Sequence, residues 1–347
     1  MNEYKKSNSY IRFGGEIPIG SDPISKNPSL INDDVLLFSH GRAALSWFLE
    51  FRGPFSNALI CNYTCPTVPF FFKRYDIKVN YFDYLEENIT SHLEIGSGKV
   101  LVLLPAPFGM SPWINPKQLA HDLGSRFSVI VDAAQSAFGH KEFSLPPGGA
   151  ILSCPRKTLA IPDGAILKIS NLEEYDKQYV NNLYEATESV LKKQEARLIF
   201  SKKDISSEIH GLALARESES ALPDKACKMS KISQRHIQVV DAKEYKRKRT
   251  INALTLRETL PSLESLLPNT DGTPFNWPFA LKNREKFIKK LVEKRIFATP
   301  LWPDIVTDDQ KWPQAYRMSR ELVALPIDQR YTKEDMILMG DMVKKCL

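Results

Sequence analysis

Three short stretches put reactive side chains at places where chemistry could follow. In Ser39-His40-Gly41-Arg42-Ala43-Ala44-Leu45 a glycine turn opens a helical pattern. Free backbone N–H groups and the helix dipole at such a start favour a phosphate or other anion; a glycine that only makes a tight turn would read the same. In Val129-Ile130-Val131-Asp132-Ala133-Ala134-Gln135-Ser136 a carboxylate directly follows an apolar run. Such a carboxylate is held rigidly at the edge of a sheet and needs a cation or strong donor, unless it simply caps the next turn. In Ser153-Cys154-Pro155-Arg156-Lys157-Thr158-Leu159 the lysine lies between apolar Ala150-Ile151-Leu152 and turn-rich Ile161-Pro162-Asp163-Gly164. A lysine partly desolvated there can react with a carbonyl as a Schiff base; taken alone it reads more simply as a surface lysine.

The three stretches carry more together than apart. An anion seat, a carboxylate and a lysine, each at a strand end and in this order, meet the needs of pyridoxal 5'-phosphate. The lysine holds the aldehyde, the carboxylate keeps the pyridine nitrogen protonated, and the helix start anchors the phosphate.

The elements that must position these groups are legible as a run of α/β units. Val35-Leu36-Leu37-Phe38 reads as a strand, and Ala44, Leu45, Phe48 and Leu49 mark one face of a following helix. Ala58 to Cys61, Lys78 to Phe82, Val100 to Leu104 and Ser128 to Val131 read as further strands, with helices starting near Thr67 and at Pro116. Strands apolar throughout imply a mostly parallel sheet covered on both faces, a three-layer αβα sandwich. Residues 1–30 are expected to form an N-terminal arm, 31–175 the large cofactor-binding domain, 176–240 a helical and irregular connector, and 241–347 a smaller α+β domain. Residues 200–231 read as irregular and charged, Phe297 to Leu301 as a strand, and Glu285 to Lys294 and Lys333 to Cys346 as helices.

Composition narrows the remaining classes. With 347 residues, 43% of them hydrophobic and 25% charged, the chain buries a large core without staples, which excludes a small disulfide scaffold or a disordered regulator. The net charge of +6 does not imply nucleic-acid binding, and the basic run Lys243 to Arg249 reads as a solvated helix face. Five cysteines without paired spacing read as reduced thiols in a cytoplasmic protein, and no apolar stretch is long enough to span a bilayer. The histidines show no metal-ligand spacing, so no metal is expected. Gly14-Gly15 and Gly96-Ser97-Gly98-Lys99 lack the context of a nucleotide-phosphate loop, and Cys65 and Cys154 have no nearby histidine motif.

On Gly41-Arg42-Ala43-Ala44-Leu45, Tyr63-Thr64-Cys65-Pro66-Thr67, Phe108-Gly109, Asp132-Ala133-Ala134-Gln135, Ser153 through Lys157 to Asp163-Gly164, and Leu325-Pro326 with Tyr331 to Asp335, the chain resembles the DegT/DnrJ/EryC1/StrS sugar aminotransferases. The likeness runs from about residue 35 to the end and is poor between about 175 and 230. It implies a fold-type-I pyridoxal-phosphate enzyme that moves an amino group from glutamate or glutamine to a nucleotide-linked keto-sugar, working as a homodimer. It further implies that Lys157 carries the cofactor and Asp132 pairs with the ring nitrogen. Gln135 would lie against the ring or its hydroxyl, and Gly41, Arg42, Ala43 and Ser153 would hold the phosphate. Cys65 falls where many relatives stack an aromatic ring on the cofactor, and Tyr63 and Phe108 are the candidates to take that ring's place. Lysine rather than histidine at 157 favours transamination over dehydration. Arg247, Arg249, Arg156 and Lys246 are candidates to meet a diphosphate. The chain departs from the pattern at Arg42 and Cys65, in a Ser153-to-Lys157 step one residue short, and in lacking a Gly-x-Asn-x-Arg stretch. Another pyridoxal-phosphate reaction, on a non-sugar ketone, and a non-catalytic scaffold or regulatory relative stay open as alternatives.

Overall fold

The computed structural model describes residues 12–27, 31, 34–90, 98–202 and 204–347, so much of the expected N-terminal arm, and His92, Gly96 and Ser97, lie outside the described residues. In chain order the first elements are β1 (Leu36–Phe38), α1 (Gly41–Arg52), β2 (Phe55–Cys61), α2 (Thr67–Arg74), β3 (Lys78–Phe82), β4 (Lys99–Pro105), α3 (Pro116–Leu123), β5 (Phe127–Ala133), α4 (Gly139–Glu142), β6 (Ala150–Ser153) and β7 (Ala165–Ile169). They build one seven-stranded sheet in the order β1-β7-β6-β5-β4-β2-β3. Strands β3, β2, β4, β5 and β6 run parallel, and β7 pairs antiparallel with both β6 and β1. Strand β1 therefore points the same way as β6, and the chain leaves β1, β2, β4, β5 and β6 at one common edge.

The two faces of the sheet follow the strand alternation. Ala58, Ile60, Leu101 and Leu103 turn to α1 and α2, where Leu45, Phe48, Phe71 and Phe72 complete one core. Leu59, Cys61, Val100, Val102 and Leu104 turn the other way, onto Leu119 and Ala120 of α3. This is the period-two pattern of a sheet covered on both sides, and it gives the three-layer α/β sandwich.

The remaining elements are α5 (Glu174–Asn181), α6 (Thr187–Phe200), α7 (Ile205–Ser220), α8 (Lys231–Val239), α9 (Ala242–Thr259), β8 (Asn276–Ala280), α10 (Arg284–Glu293), α11 (Pro313–Glu321), β9 (Leu322–Pro326) and α12 (Lys333–Lys344). Strands β8 and β9 form a two-stranded antiparallel sheet. A separate core of Leu256, Trp277, Phe279, Phe287, Leu291, Leu325 and Met339 joins it to α9, α10 and α12.

Three expectations are corrected. Residues 200–231 are not irregular throughout: α7 occupies Ile205–Ser220, opened by Asp204, whose side chain accepts from Ser207 N–H. Phe297 to Leu301 does not form a strand; only Thr299 bridges, to Ala324, and Leu301 and Trp302 turn into positive φ. The run Lys243 to Arg249 is not a wholly solvated face, because Tyr245 and Arg249, four residues apart on α9, are both buried.

Candidate active site

The common strand edge holds a cavity of about 230 Å³. Helix α1 starts there at Gly41. His40 before it is extended and offers no side-chain cap; the Gly41 N–H points to the Cys154 sulfur, and among the described residues no side chain is bonded to the N–H groups of Arg42 and Ala43. Gly41 is needed for close approach: a Cβ there would come 3.2 Å from the sulfur of Cys154, which is buried and whose thiol burial holds in the neutral form. Arg42 lines the cavity and has no ion pair among the described residues. The His40 imidazole is buried, with Nδ1 2.7 Å from Ser39 Oγ. Desolvation, reinforced by the charges of Arg156 and Arg42, lowers its pKa to about 3, so it is a neutral wall at ordinary pH.

Strand β5 delivers Asp132 to the same cavity. One carboxylate oxygen accepts from Ala134 N–H at 3.0 Å, and among the described residues the side chain has no ion pair. Burial raises its pKa above the ordinary carboxylate value, and the Lys157 charge offsets only part of that rise. Lys157 follows β6 in the 3-10 turn Pro155–Lys157. Its side chain is exposed, lines the cavity, and makes no hydrogen bond or ion pair among the described residues, while its backbone N–H donates to the Cys154 carbonyl at 3.1 Å.

Gln135 also lines the cavity, and its Oε1 accepts from Phe108 N–H at 2.6 Å. That bond holds Phe108 in a left-handed turn, φ 55°, with its ring on the cavity wall. Gly109 follows at φ 80°, where a Cβ would meet the Thr273 carbonyl oxygen at 2.3 Å. Tyr63 is buried, donates to the Leu301 carbonyl at 2.7 Å and packs edge-on to Trp302. Cys65 is half-buried beside Thr67.

The structure thus brings Gly41, Arg42, Tyr63, Cys65, Asp132, Gln135 and Lys157 together. It does not bring Ser153 with them. Side chains alternate along β6, so Leu152 and Cys154 face the cavity while the Ser153 hydroxyl faces away and accepts from His140 N–H at 2.8 Å. The Ala43 side chain is buried in the core, and only its backbone belongs to the first turn of α1. Of the diphosphate candidates, Arg156 lines the cavity. Arg249 lines a smaller one beyond Lys157, whereas Arg247 and Lys246 pair with Glu244 and Glu142 at the surface.

Two wall residues had no sequence signal pointing to them. Trp302 enters from the strained turn before α11. Glu219 comes from the last turn of α7 and grips Arg156 through two contacts, 2.5 and 3.2 Å. Burial alone would push the Glu219 carboxyl up, but the Arg156 guanidinium, with Lys193 and Lys157, holds it down at about 2. The cavity wall therefore carries one fixed negative charge. Among the described residues no group of three or more His, Cys, Asp or Glu could hold a metal ion, and no helix is long and apolar enough to cross a membrane.

No family model matches the chain, and no curated protein matches it by sequence. Solved structures match it by shape. Helicobacter pylori PseC, an aminotransferase involved in the biosynthesis of pseudoaminic acid, aligns over 97% of this chain and 99% of its own at 12% identity, TM-score 0.63. A DegT DnrJ EryC1 StrS aminotransferase from Brucella abortus aligns over 90% and 85% at 13% identity, TM-score 0.59. DesI, solved in the presence of its TDP-sugar product, aligns over 90% and 80% at 13% identity, TM-score 0.61. With its mostly parallel seven-stranded sheet and second small core, the chain has the fold of the DegT/DnrJ/EryC1/StrS-type aminotransferases.

Proposed function

We propose that the chain is a pyridoxal-phosphate-dependent aminotransferase whose acceptor is a keto-sugar carried on a nucleotide. One observation carries the reading: Asp132 and Lys157, neither with an ion-pair partner among the described residues, share one cavity beneath the uncapped start of α1. The cofactor fits those residues. A buried carboxyl with a single N–H contact suits a ring nitrogen that brings a proton, and an unengaged lysine suits an aldehyde. The first turn of α1 and Arg42 suit a phosphate. The sugar part of the reading is supported by the like-folded DesI and PseC, and a glutamate or glutamine donor and a homodimer are proposed with it.

When bound, the cofactor supplies an electron sink for negative charge developing beside its imine carbon. The protein's own part is positional and protonic. Asp132 would hold the ring-nitrogen proton in place. The Lys157 Nζ, released once an amino donor is attached, would take and return the proton at the reacting carbon, as a general base and then acid. Phe108, Tyr63 and Trp302 wall one side of the cavity with apolar surface. Gln135 fixes the Phe108 turn and so the shape of that wall.

The test is a visible absorption spectrum of the purified protein with added pyridoxal phosphate, then with glutamate, then with borohydride. The reading expects a yellow band, its shift on adding glutamate, and reductive fixation on Lys157 found by peptide mass. A protein that takes up no cofactor overturns it.

A further inference from the structure

A second cavity, also about 230 Å³, lies against the first and shares Arg156, Lys157 and Glu219 with it. Its inner wall is charged and buried. Helix α6 turns Lys193 and Arg197, one helical turn apart, inward at 5% and 2% exposure. Lys193 Nζ is 2.7 Å from Glu16 Oε1 and 4.0 Å from Glu219 Oε1. Arg197 donates to the carbonyls of Ile17, Leu159 and Arg156, so it also clamps the turn that carries Lys157.

The charges do not balance. Three inward cations, Arg156, Lys193 and Arg197, face two carboxylates: Glu219 pairs with Arg156, and Glu16 is shared between Lys193 at 2.7 Å and Arg197 at 3.7 Å, while the exposed Lys157 adds a fourth positive charge at the rim. The Nε atoms of Arg156 and Arg197 are buried and have no hydrogen-bond partner among the described residues. Burial lowers the pKa of Lys193 despite Glu16 beside it, a further sign of incomplete compensation. Buried cations left short of anions are costly, and a ligand anion that completes the set relieves that cost.

We propose that this second cavity is the carboxylate subsite for the amino donor, and that Lys193 and Arg197 select a dicarboxylic amino acid by its second carboxylate. The inference rests on the aminotransferase reading for the meaning of "donor", but the anion site stands on its own geometry. A carboxylate fits better than a diphosphate, because Glu16 and Glu219 already stand in the pocket and repel a polyanion. Sharing Lys157 with the larger cavity lets one small molecule keep its anion here while its amino group lies near that lysine.

The experiment is isothermal titration of the full chain, with and without added pyridoxal phosphate, using glutarate, a dicarboxylate that cannot react. Pyrophosphate serves as the competing probe, and cofactor uptake is read by absorbance on the same samples. Lys193→Gln should weaken glutarate at least about tenfold. Glu16→Gln breaks the same ion pair but removes a competing anion, so it should leave glutarate binding unchanged or tighter. If both variants weaken glutarate alike, Lys193 only holds structure and the proposal fails. It also fails if glutarate does not bind, or if pyrophosphate rather than glutarate depends on Lys193. A protein that takes up no cofactor yet binds glutarate through Lys193 keeps the subsite and loses the aminotransferase reading. Uptake of cofactor without glutarate binding does the reverse.

Discussion

Arg156 and Glu219 meet in a two-point ion pair, 2.5 and 3.2 Å, although 63 positions separate them in the chain. The pair joins the turn that ends in Lys157 to the last turn of α7. A helical hairpin outside the sheet thus fixes the wall beside the reactive lysine, and the two cavities around that lysine share this wall.

Replacing Lys157 with Ala should abolish the yellow band and the borohydride-fixed adduct. The side chain is exposed and unengaged among the described residues, so Tm should move by no more than about 2 °C. Absorbance and a thermal melt on one sample check both halves.

Asp132 gives a pH-dependent prediction. Its folded pKa is raised, so as pH climbs past the ordinary value of 3.8 the unfolded chain loses the proton first, and folding stability falls until the folded pKa is passed. Asp132→Asn removes that loss. Without cofactor, the variant should melt above the parent at pH 7, and the gap should close as pH approaches 3. Cofactor affinity should move the opposite way and weaken. Melts across pH, with and without pyridoxal phosphate, read both effects.

Glu219 should show the reverse trend. Held at about 2, it contributes stability above its unfolded value of 4.5 that is lost as pH falls through about 2. Glu219→Gln should lower Tm by no more than about 2 °C at pH 6, since the carboxylate is partly open to solvent, and should match the parent near pH 2.

His40 and His140 are both lowered to about 3, first by burial and then by nearby cations. Neither ring should titrate between pH 5 and 8 in the folded protein. Imidazole carbon–proton NMR shifts check this directly. Because the unfolded rings do bind protons below about 6.5, these two sites should also cost the fold stability as pH drops from there.

Gly109→Ala adds a Cβ at φ 80° within 2.3 Å of the Thr273 carbonyl oxygen. The backbone must shift, which should cost about 2–4 kcal/mol. The Phe108 turn and its bond to Gln135 move with it, so cofactor affinity should fall along with the chemical-denaturation midpoint.

Most of the sheet is legible in sequence because its central strands are apolar on both faces, but β7, which turns back antiparallel between β6 and β1, is not among the strands read there. That logic pointed to Asp132 and Lys157, which do line one cavity, the first near the end of β5 and the second in the turn after β6. It failed at Ser153, where a strand residue one position off faces the opposite side. It also failed at β8, a strand of the small sheet that carries Pro278. The α6–α7 pair hid Glu219, Lys193 and Arg197 for a different reason. These helices turn Ser189, Lys193 and Arg197 inward and leave Leu191, Leu198 and Ile209 more than half exposed, inverting the pattern by which a buried helix face is recognised.

The pairing of β1 with β7 sets an order of assembly. Leu36 is partnered by Leu167, and the strand that leads to Lys157 is flanked by β7 on that side. During synthesis β1 waits, unpaired, until the chain has passed Ile169. The wall supplied by Glu219 arrives later still, after α7. Contacts this distant in sequence form slowly. A nascent or truncated chain can therefore display the lysine while lacking both its sheet neighbour and its charged wall, and the complete site belongs only to chains that have finished folding beyond α7.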